Sequence, residues 1–261
     1  MTRPTARLRV ATYNVHGCVG GDGRFDPGRI AGVLDELGAD VLALQEVENF
    51  RVDGIHVLDF LASRTRLLAL AGPTLLRGGR HYGNALLTRL PVEHEQRIDL
   101  SVPGREPRGA IDARLGWGDR TLQAVATHLG LEPSERRRQV RRLLGALKTG
   151  GSDYALLLGD LNEWAFWGRP LRALRRYFSA TPCPRTFPAR WPLLSLDRIW
   201  VRPPFALSQV RAHASALARR ASDHLPLVAE LADGAPPVPP PRASDAAARA
   251  EPQQRSSRAL L

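Results

Sequence analysis

The feature that most constrains the fold is a series of short apolar runs, each bordered by a carboxylate, amide or imidazole side chain. The clearest run is "YALLLGD", in which four apolar residues, Ala155 to Leu158, lead through Gly159 to Asp160. The same arrangement recurs along the chain, at Asn14, Glu46, His128, Asn162, Asp197, Asp223 and His224. Because burying an ionised carboxylate without a partner is costly, we expect these positions to lie at the rim of a sheet, where a cation can meet them.

The apolar runs alternate with helical patterns. In "FDPGRIAGVLDELG", Asp26 is placed as N-cap, Pro27 as the first helical residue and Gly38 as the stop. Helices are also expected over "DGIHVLDFLASRTR", "PSERRRQVRRLLGALK" and "RPLRALRRYF". Strands outnumber helices, and several neighbouring strands lack a helix between them, which indicates mixed sheets. We therefore expect an α/β (α+β) fold, a four-layer sandwich of two mixed β-sheets packed face to face with helices outside.

The composition predicts one domain followed by a tail. The chain has 261 residues, of which 43% are hydrophobic, enough for a sizeable core. Residues 1–232 are expected to form a single folded domain. Residues 233–261 are rich in Pro, Ala and Arg and poor in large apolar residues. Such a segment cannot offset its ordering entropy, so we expect it to be disordered.

The charge of the chain is strongly positive. Its formal net charge is +11, and Lys148 is the only lysine among 37 basic residues. The excess of arginine is consistent with a polyanionic partner and equally with a compositional bias toward Arg, Ala, Pro and Gly. Both interpretations stay open, although a positive field helps any phosphate-bearing substrate to arrive.

The cysteines and the N-terminus predict a location. Cys18 and Cys183 are too few to staple such a domain and lack CxxC spacing, so we expect reduced thiols. The N-terminus leads into a strand without the apolar region of a signal peptide, and no apolar stretch of the sequence is long enough to span a bilayer. We expect a cytoplasmic monomer with no transmembrane segment, and leave peripheral membrane contact open.

Convergence of the polar strand ends would create a metal site. Several carboxylates, two imidazoles and two carboxamides would then share one pocket. Hard oxygen ligands with few nitrogens suit Mg²⁺ or Mn²⁺ better than Zn²⁺. The sequence shows no HxxxH or Cys/His spacing typical of zinc.

Eight motifs occur in order: "TYNVHG", "LQEV", "YGNALLTR", "PRGAI", "THLG", "GDLNEW", "LDRIWV" and "SDHLPL". This series resembles that of the endonuclease/exonuclease/phosphatase superfamily over nearly all of residues 7–231. The superfamily includes pancreatic-type deoxyribonucleases, abasic-site endonucleases, sphingomyelinases and inositol polyphosphate 5-phosphatases. "GDLN" alone is modest evidence, but "GDLN" preceded by "LQE" and followed by "SDH" is much more specific.

The resemblance implies roles around a metal ion and a water molecule. Glu46 would be the principal metal carboxylate, Asn14 would support the metal and the phosphate, and Asp223 would be a metal ligand or its neighbour. Asp160 would orient or deprotonate the attacking water. Asn162 would hold a non-bridging phosphate oxygen.

The resemblance also implies roles at the phosphate itself. His224 would contact the scissile phosphate, and Asp197 would orient its imidazole. His128 would be a second phosphate-facing histidine, and Arg108 would offer a charged fork to phosphate. His16 stands where some branches carry an acidic residue for a second metal ion, and is left as a supporting residue or a structural one.

Together these residues predict a divalent-metal-dependent phosphodiester hydrolase. We expect a nuclease of the endonuclease/exonuclease type acting on nucleic acid. The alternative is a phosphodiesterase or phosphatase acting on a phospholipid headgroup or small phosphoester. A non-catalytic binding module is the remote alternative, because it would be expected to have lost Glu46, Asp160 or His224.

Three further features have competing interpretations. The run "ERRRQVRR" is expected to be the solvated face of its helix, and Glu163 is expected in a solvated turn. Trp164 and Trp167 follow "GDLN" directly. They suit stacking on a base, contact with a lipid interface, or core packing.

Overall fold

A computed structural model of the protein describes residues 7–165 and 168–232. The predicted tail, residues 233–261, and Trp167 lie outside the described residues. The strands are β1 (Arg7–Asn14), β2 (Val41–Asn49), β3 (Arg51–Val52), β4 (Ile55–His56), β5 (Leu68–Arg77), β6 (Arg80–Thr88), β7 (Val92–Asp99), β8 (Gly109–Trp117), β9 (Arg120–His128), β10 (Tyr154–Asp160), β11 (Asp197–Arg202), β12 (Leu207–Ala212) and β13 (Leu227–Ala232). The helices are α1 (Pro27–Leu37), α2 (Val57–Thr65), α3 (Pro133–Thr149), α4 (Arg169–Phe178) and α5 (Ala218–Ala221).

The strands form two large mixed sheets. The first has the order β12-β13-β1-β2-β6-β5, in which only β1 and β2 are parallel neighbours. The second has the order β11-β10-β9-β8-β7, in which only β9 and β10 are parallel neighbours. The short strands β3 and β4 form a separate hairpin.

Three apolar layers hold the sheets and helices together. The middle layer lies between the two sheets and includes Val10 and Val41 of the first and Ile111 and Leu156 of the second. A second layer packs α1 and α2 against the first sheet. A third packs α3 and α4 against the second sheet. The expected four-layer sandwich of two mixed sheets with helices outside is therefore confirmed.

Local sequence signals place α1 as expected. The Asp26 side chain accepts a hydrogen bond from the Arg29 amide, Pro27 is the first helical residue, and Gly38 ends the helix in the left-handed conformation. The prediction for α2 was wrong in its first turn. Asp53 and Gly54 both have positive φ and make the turn of the β3–β4 hairpin, so the helix begins only at Val57.

The arginine-rich helix α3 is not solvated along its whole charged run. Glu135, Arg136 and Gln139 are buried, and Arg136 Nε lies 3.2 Å from Glu163 Oε2. Glu163 is itself buried. The expectation of a solvated turn at Glu163 was therefore wrong, because the carboxylate finds a buried cation on α3.

No helix within the described ranges is long and apolar enough to cross a membrane.

Candidate active site

The topology brings the predicted polar residues to one rim. Because β1 and β2 run parallel, Asn14 and Glu46 come at the same end of the first sheet. Because β9 and β10 run parallel, His128 and Asp160 are Cα partners at the same end of the second sheet. Strand β11 runs the other way, so its first residue, Asp197, pairs with Asp160.

Loops next to these strands supply the remaining residues of the site. The loop before β13 adds Asp223 and His224. Asn162 follows Asp160, and Arg108 immediately precedes β8, whose Ala110 is paired with Thr127 at the end of β9.

A bulge in β2 sets the direction of Glu46. The pairing with β6 shifts between Leu44 and Val47, so two residues of β2 oppose one of β6. Glu46 takes a positive φ of 57° at this bulge. Such a conformation is unusual for glutamate, and bulges commonly re-aim a side chain beside an active site.

Three residues of the "GDLN" sequence are required by the local backbone geometry. Gly159 has a φ of 151°, and a Cβ there would lie 1.9 Å from the Thr127 carbonyl oxygen of β9. Asp160 Oδ1 accepts a hydrogen bond from the backbone amide of Asn162 at 2.9 Å, which closes a turn. Asn162 itself has a φ of 50°, a conformation that asparagine tolerates better than most residues.

Asp160 is the meeting point of the site. Its Oδ2 atom lies 3.2 Å from Asn14 Nδ2, 3.6 Å from His128 Nε2 and 3.7 Å from His224 Nε2. Asn14 Nδ2 also donates to Glu46 Oε1 at 2.9 Å, and Asn14 Oδ1 accepts from the His16 amide. The side chain of Asn14 therefore joins the carboxylates of the two sheets, and its oxygen is turned toward the backbone.

His224 is built to carry a positive charge. Its Nδ1 lies 2.9 Å from Asp197 Oδ2, which also accepts from the Thr186 hydroxyl at 2.5 Å. Burial by itself lowers the pKa of His224, but the charge and hydrogen bond of Asp197, followed by the charges of Asp160 and Asp223, raise it to about 10. The predicted His224–Asp197 pair is thus present, and His224 is an imidazolium at neutral pH.

His128 has the opposite electrostatic character. Burial lowers its pKa to about 3, with Asp160 opposing the shift and the positive charge of Arg108 adding to it. Its Nδ1 lies 3.0 Å from Arg108 Nη1, and its Nε2 lies 3.0 Å from Asn162 Nδ2. The two imidazoles that face Asp160 are therefore a neutral one and a charged one.

Asp223 and His16 lie at the more exposed side of the rim. Asp223 Oδ1 is 3.8 Å from His16 Nδ1, and both side chains are partly solvent-accessible. The backbone carbonyl of Asp223 accepts from the Ala189 amide at 2.6 Å. Among the nine predicted site residues, Asp223 is the one whose side chain makes no hydrogen bond, within the described residues, to Asp160 or to the side chains around it. Its Oδ1 accepts a long hydrogen bond from the Ser222 hydroxyl at 3.4 Å.

The donor set fits a hard divalent cation. Glu46 is only partly buried, and its carboxylate and that of Asp160 both contact one amide group of Asn14. Asp160, Asp197 and His224 also place ligand atoms within 4.8 Å of one another, a spacing compatible with a metal ion. In that trio Asp197 Oδ2 is already engaged by Thr186 and His224. Oxygen-rich surroundings of this kind favour Mg²⁺ or Mn²⁺.

Three residues of the site carried no predicted role. Thr186 donates to Asp197, the Phe187 ring lies 4.8 Å from that of His224, and the Ser222 hydroxyl donates to the Asn14 carbonyl oxygen at 2.8 Å. Ser222 opens the "SDH" motif and could have been noticed there. Thr186 and Phe187 lie in a loop without a recognisable pattern, so only the fold reveals them.

A comparison with protein families decides the relationship. The sequence profile of the Endonuclease/Exonuclease/phosphatase family matches residues 11–224, which include every predicted site residue. The chain belongs to this family. Members of the Endonuclease/Exonuclease/phosphatase family hydrolyse phosphoester bonds and generally depend on a divalent metal ion.

The bacterial protein YbhP aligns along most of the chain. The uncharacterised protein YbhP of Escherichia coli strain K12 is 32% identical over 246 residues, covering 86% of this chain and 96% of YbhP. YbhP of Shigella flexneri matches with the same identity and coverage.

Solved structures of the Endonuclease/Exonuclease/phosphatase family share the fold. A member from Beutenbergia cavernae is 23% identical, with a TM-score of 0.68 over 89% of this chain and 73% of its own. TDP2 of D. rerio in complex with a single-strand DNA product is 18% identical, with a TM-score of 0.66 over 86% of this chain and 98% of its own. A mannosyl-6-phosphatase of Bacteroides thetaiotaomicron is 18% identical, with a TM-score of 0.67 over 86% of this chain and 99% of its own.

Proposed function

We propose that this protein is a divalent-metal-dependent phosphodiester hydrolase and that its substrate is nucleic acid. The observation that carries the proposal is the convergence on Asp160 of a neutral imidazole, a charged imidazole and an amide that also holds Glu46. Hydrolysis of a phosphodiester needs a positioned water, donors to the phosphoryl oxygens and a cation beside the developing charge. These side chains can orient the water, donate to the phosphoryl oxygens and hold the cation.

Glu46 would hold the metal ion, with Asn14 fixing its position and Asp223 available at the open side of the rim. The bound ion would neutralise charge on the phosphoryl group and polarise its oxygens. Asn14 is better suited to orient the carboxylates than to ligate through its oxygen, because that oxygen accepts from the His16 amide.

The remaining side chains act on the water and the phosphate. Asp160 orients the water and receives its proton as the new P–O bond forms, and the leaving ester oxygen takes a proton from solvent as its P–O bond breaks. His128 and Asn162 donate hydrogen bonds to a non-bridging oxygen. His224, held as an imidazolium by Asp197, places a positive charge beside the phosphate and donates from Nε2.

The charge of the whole chain favours a nucleic acid substrate. A net charge of +11 attracts a polyanion, and TDP2, which has the same fold, has been solved with a single-strand DNA product. On this proposal the protein works in the cytoplasm.

A second candidate, hydrolysis of a phospholipid headgroup, has one observation in its favour. Trp164, Trp191 and Leu193 are more than half exposed, on the loop after β10 and on the loop that contacts His224 through Phe187. Exposed aromatic and apolar side chains near a phosphate site suit a membrane interface.

A substrate panel tests both candidates. Purified protein with Mg²⁺ or Mn²⁺ is assayed on plasmid DNA, single-stranded RNA, bis-p-nitrophenyl phosphate and mixed phospholipid vesicles. Cleavage of DNA or RNA is the expected result. Cleavage confined to vesicles would replace the nuclease proposal by the lipid one, and inactivity on all four would contradict both.

A further inference from the structure

Arg108 lies beside a histidine rather than on the open side of the site. It is 8% exposed, and its Nη1 atom is 3.0 Å from His128 Nδ1 and 3.1 Å from Glu106 Oε1. The sequence predicted a guanidinium that grips phosphate directly. The buried position of Arg108 against the far nitrogen of His128 indicates that it acts through the imidazole.

The guanidinium of Arg108 determines which ring nitrogen of His128 carries the proton. Arginine has N–H donors and no acceptor, and it stays charged in proteins. His128 Nδ1 can therefore meet Arg108 favourably only as an acceptor. A neutral imidazole whose Nδ1 accepts carries its proton on Nε2, the nitrogen that faces Asp160 and Asn162.

Asn162 presents a second donor at the same place. Its Nδ2 atom donates to the Leu129 carbonyl oxygen at 2.8 Å, and because a carbonyl oxygen only accepts, this contact fixes the orientation of the amide. The same Nδ2 atom lies 3.0 Å from His128 Nε2. Two N–H groups therefore point into one small region without an acceptor between them, while Asp160 Oδ2, at 3.6 Å from Nε2, is beyond a good hydrogen bond.

An oxygen anion would satisfy both donors at once. We propose that Arg108 is a positioning residue that holds His128 in its Nε2–H tautomer, so that His128 and Asn162 donate together to one non-bridging oxygen of the substrate phosphate. The inference rests on the proposed phosphodiesterase function for the identity of that oxygen. The tautomer itself is a property of the protein alone and can be measured without substrate.

Removal of Arg108 should reverse the tautomer. In Arg108→Met the guanidinium no longer faces Nδ1, and the side-chain amide of Asn162 can donate to Nε2 only when Nε2 is unprotonated. The imidazole should then place its proton on Nδ1, and the hydrogen bonds among His128, Asn162 and Leu129 become compatible. Arg108→Lys keeps a donor-only group and should retain the Nε2–H form.

Long-range ¹⁵N–¹H correlation spectra of the histidine rings test this at neutral pH. The His128 signals are assigned by their loss in His128→Gln. The matched control is Arg105→Met, because Arg105 is an exposed arginine of the same loop. We expect a protonated Nε2 and an unprotonated Nδ1 in wild type, Arg105→Met and Arg108→Lys, and the reverse in Arg108→Met.

Kinetics on bis-p-nitrophenyl phosphate supply the second readout. Loss of one preorganised donor should lower kcat of Arg108→Met about 100-fold, with KM changed less than about threefold and activity largely kept in Arg108→Lys. A higher KM at unchanged kcat would show a direct grip on phosphate and overturn the proposal.

A protonated Nδ1 of His128 in wild type would overturn it without any variant, even if Arg108→Met failed to fold. An inactive wild type with the Nε2–H tautomer would contradict the proposed function and leave the action of Arg108 on the tautomer standing.

Discussion

At the scale of single residues, the site works by giving similar side chains different electrostatic surroundings. His224 has three carboxylates around it and is charged, whereas His128 has a guanidinium at its far nitrogen and is neutral. Both imidazoles face the same oxygen of Asp160. One residue type therefore provides a fixed cation and a neutral donor within one pocket.

Glu46 is the residue at which metal dependence can be tested. Glu46→Ala should lower turnover at saturating Mg²⁺ by about 1,000-fold, because a metal ion contributes several kcal/mol to the transition state. The melting temperature should change little, since the side chain lies partly exposed at the rim. Hydrolysis rates and thermal unfolding are compared with Glu95→Ala, an exposed glutamate of β7. Activity within a few-fold of wild type would remove Glu46 from the metal site.

The raised pKa of His224 predicts an alkaline loss of stability. The unfolded imidazole titrates near 6.5 and the folded one near 10, so the folded state binds more protons between these values. The stabilisation from His224 is complete below pH 6.5 and is lost as pH rises toward 10, by at most about 1.4 kcal/mol per pH unit. Urea unfolding at pH 6.5 and 9.5 should show a larger decrease for wild type than for His224→Gln. Equal decreases would contradict the charged state of His224.

At the scale of elements, the loop after β10 is anchored by a helix on the outside of the second sheet. Arg136 of α3 pairs with Glu163, and the backbone carbonyl of Glu163 accepts from Arg198 of β11. Both arginines are buried. The segment that carries Asn162 is thus held between a helix and a strand by charged hydrogen bonds.

Breaking this ion pair should lower the free energy of unfolding more than the loss of a surface arginine does. Arg136→Met leaves Glu163 buried without its cation and should lower the free energy of unfolding by about 3–5 kcal/mol. Arg137→Met, an exposed neighbour on α3, should stay within about 0.5 kcal/mol of wild type. Denaturant unfolding also includes the double variant Arg136→Met/Glu163→Gln, which should recover part of the loss. Additive losses in the double variant would show that the two side chains are not coupled.

Some elements were predictable because they carry continuous burial or clear helix-capping signals in the sequence. Continuous apolar runs such as β10 and the capped helix α1 were identified from sequence. The edge strands β5 and β7 were missed, and the exposed residues of β7 in "VEHEQRID" show no apolar alternation. The turn and the second strand of the β3–β4 hairpin fall within the segment "DGIHVLDFLASRTR" that was predicted as helix.

The identity of the site residues was similarly easier to predict than their interactions. The motif series gave Asp160, His128 and His224, and parallel pairing explains why they converge. The sequence could not show that Arg108 faces an imidazole nitrogen, or that Thr186 supports Asp197. Those contacts depend on side-chain directions across two sheets and a loop, which local patterns do not encode.

At the scale of the whole molecule, the excess of positive charge makes a prediction about salt. If the substrate is nucleic acid, kcat/KM should fall by about 40-fold between about 50 and 200 mM salt when three phosphates are contacted. The singly charged bis-p-nitrophenyl phosphate should change far less. The ratio of the two salt dependences is the measurement, and equal dependences would contradict a polyanionic substrate.

The fold places the candidate site where two sheets end together, and the central claim is that this convergence hydrolyses phosphodiesters. The most direct measurement compares wild type and Asp160→Asn on plasmid DNA and bis-p-nitrophenyl phosphate, with Mg²⁺, with Mn²⁺ and with EDTA. We expect metal-dependent cleavage by wild type, abolished by EDTA and reduced at least about 100-fold in the variant. Cleavage that persists in EDTA, or that is equal in the correctly folded variant, would contradict it.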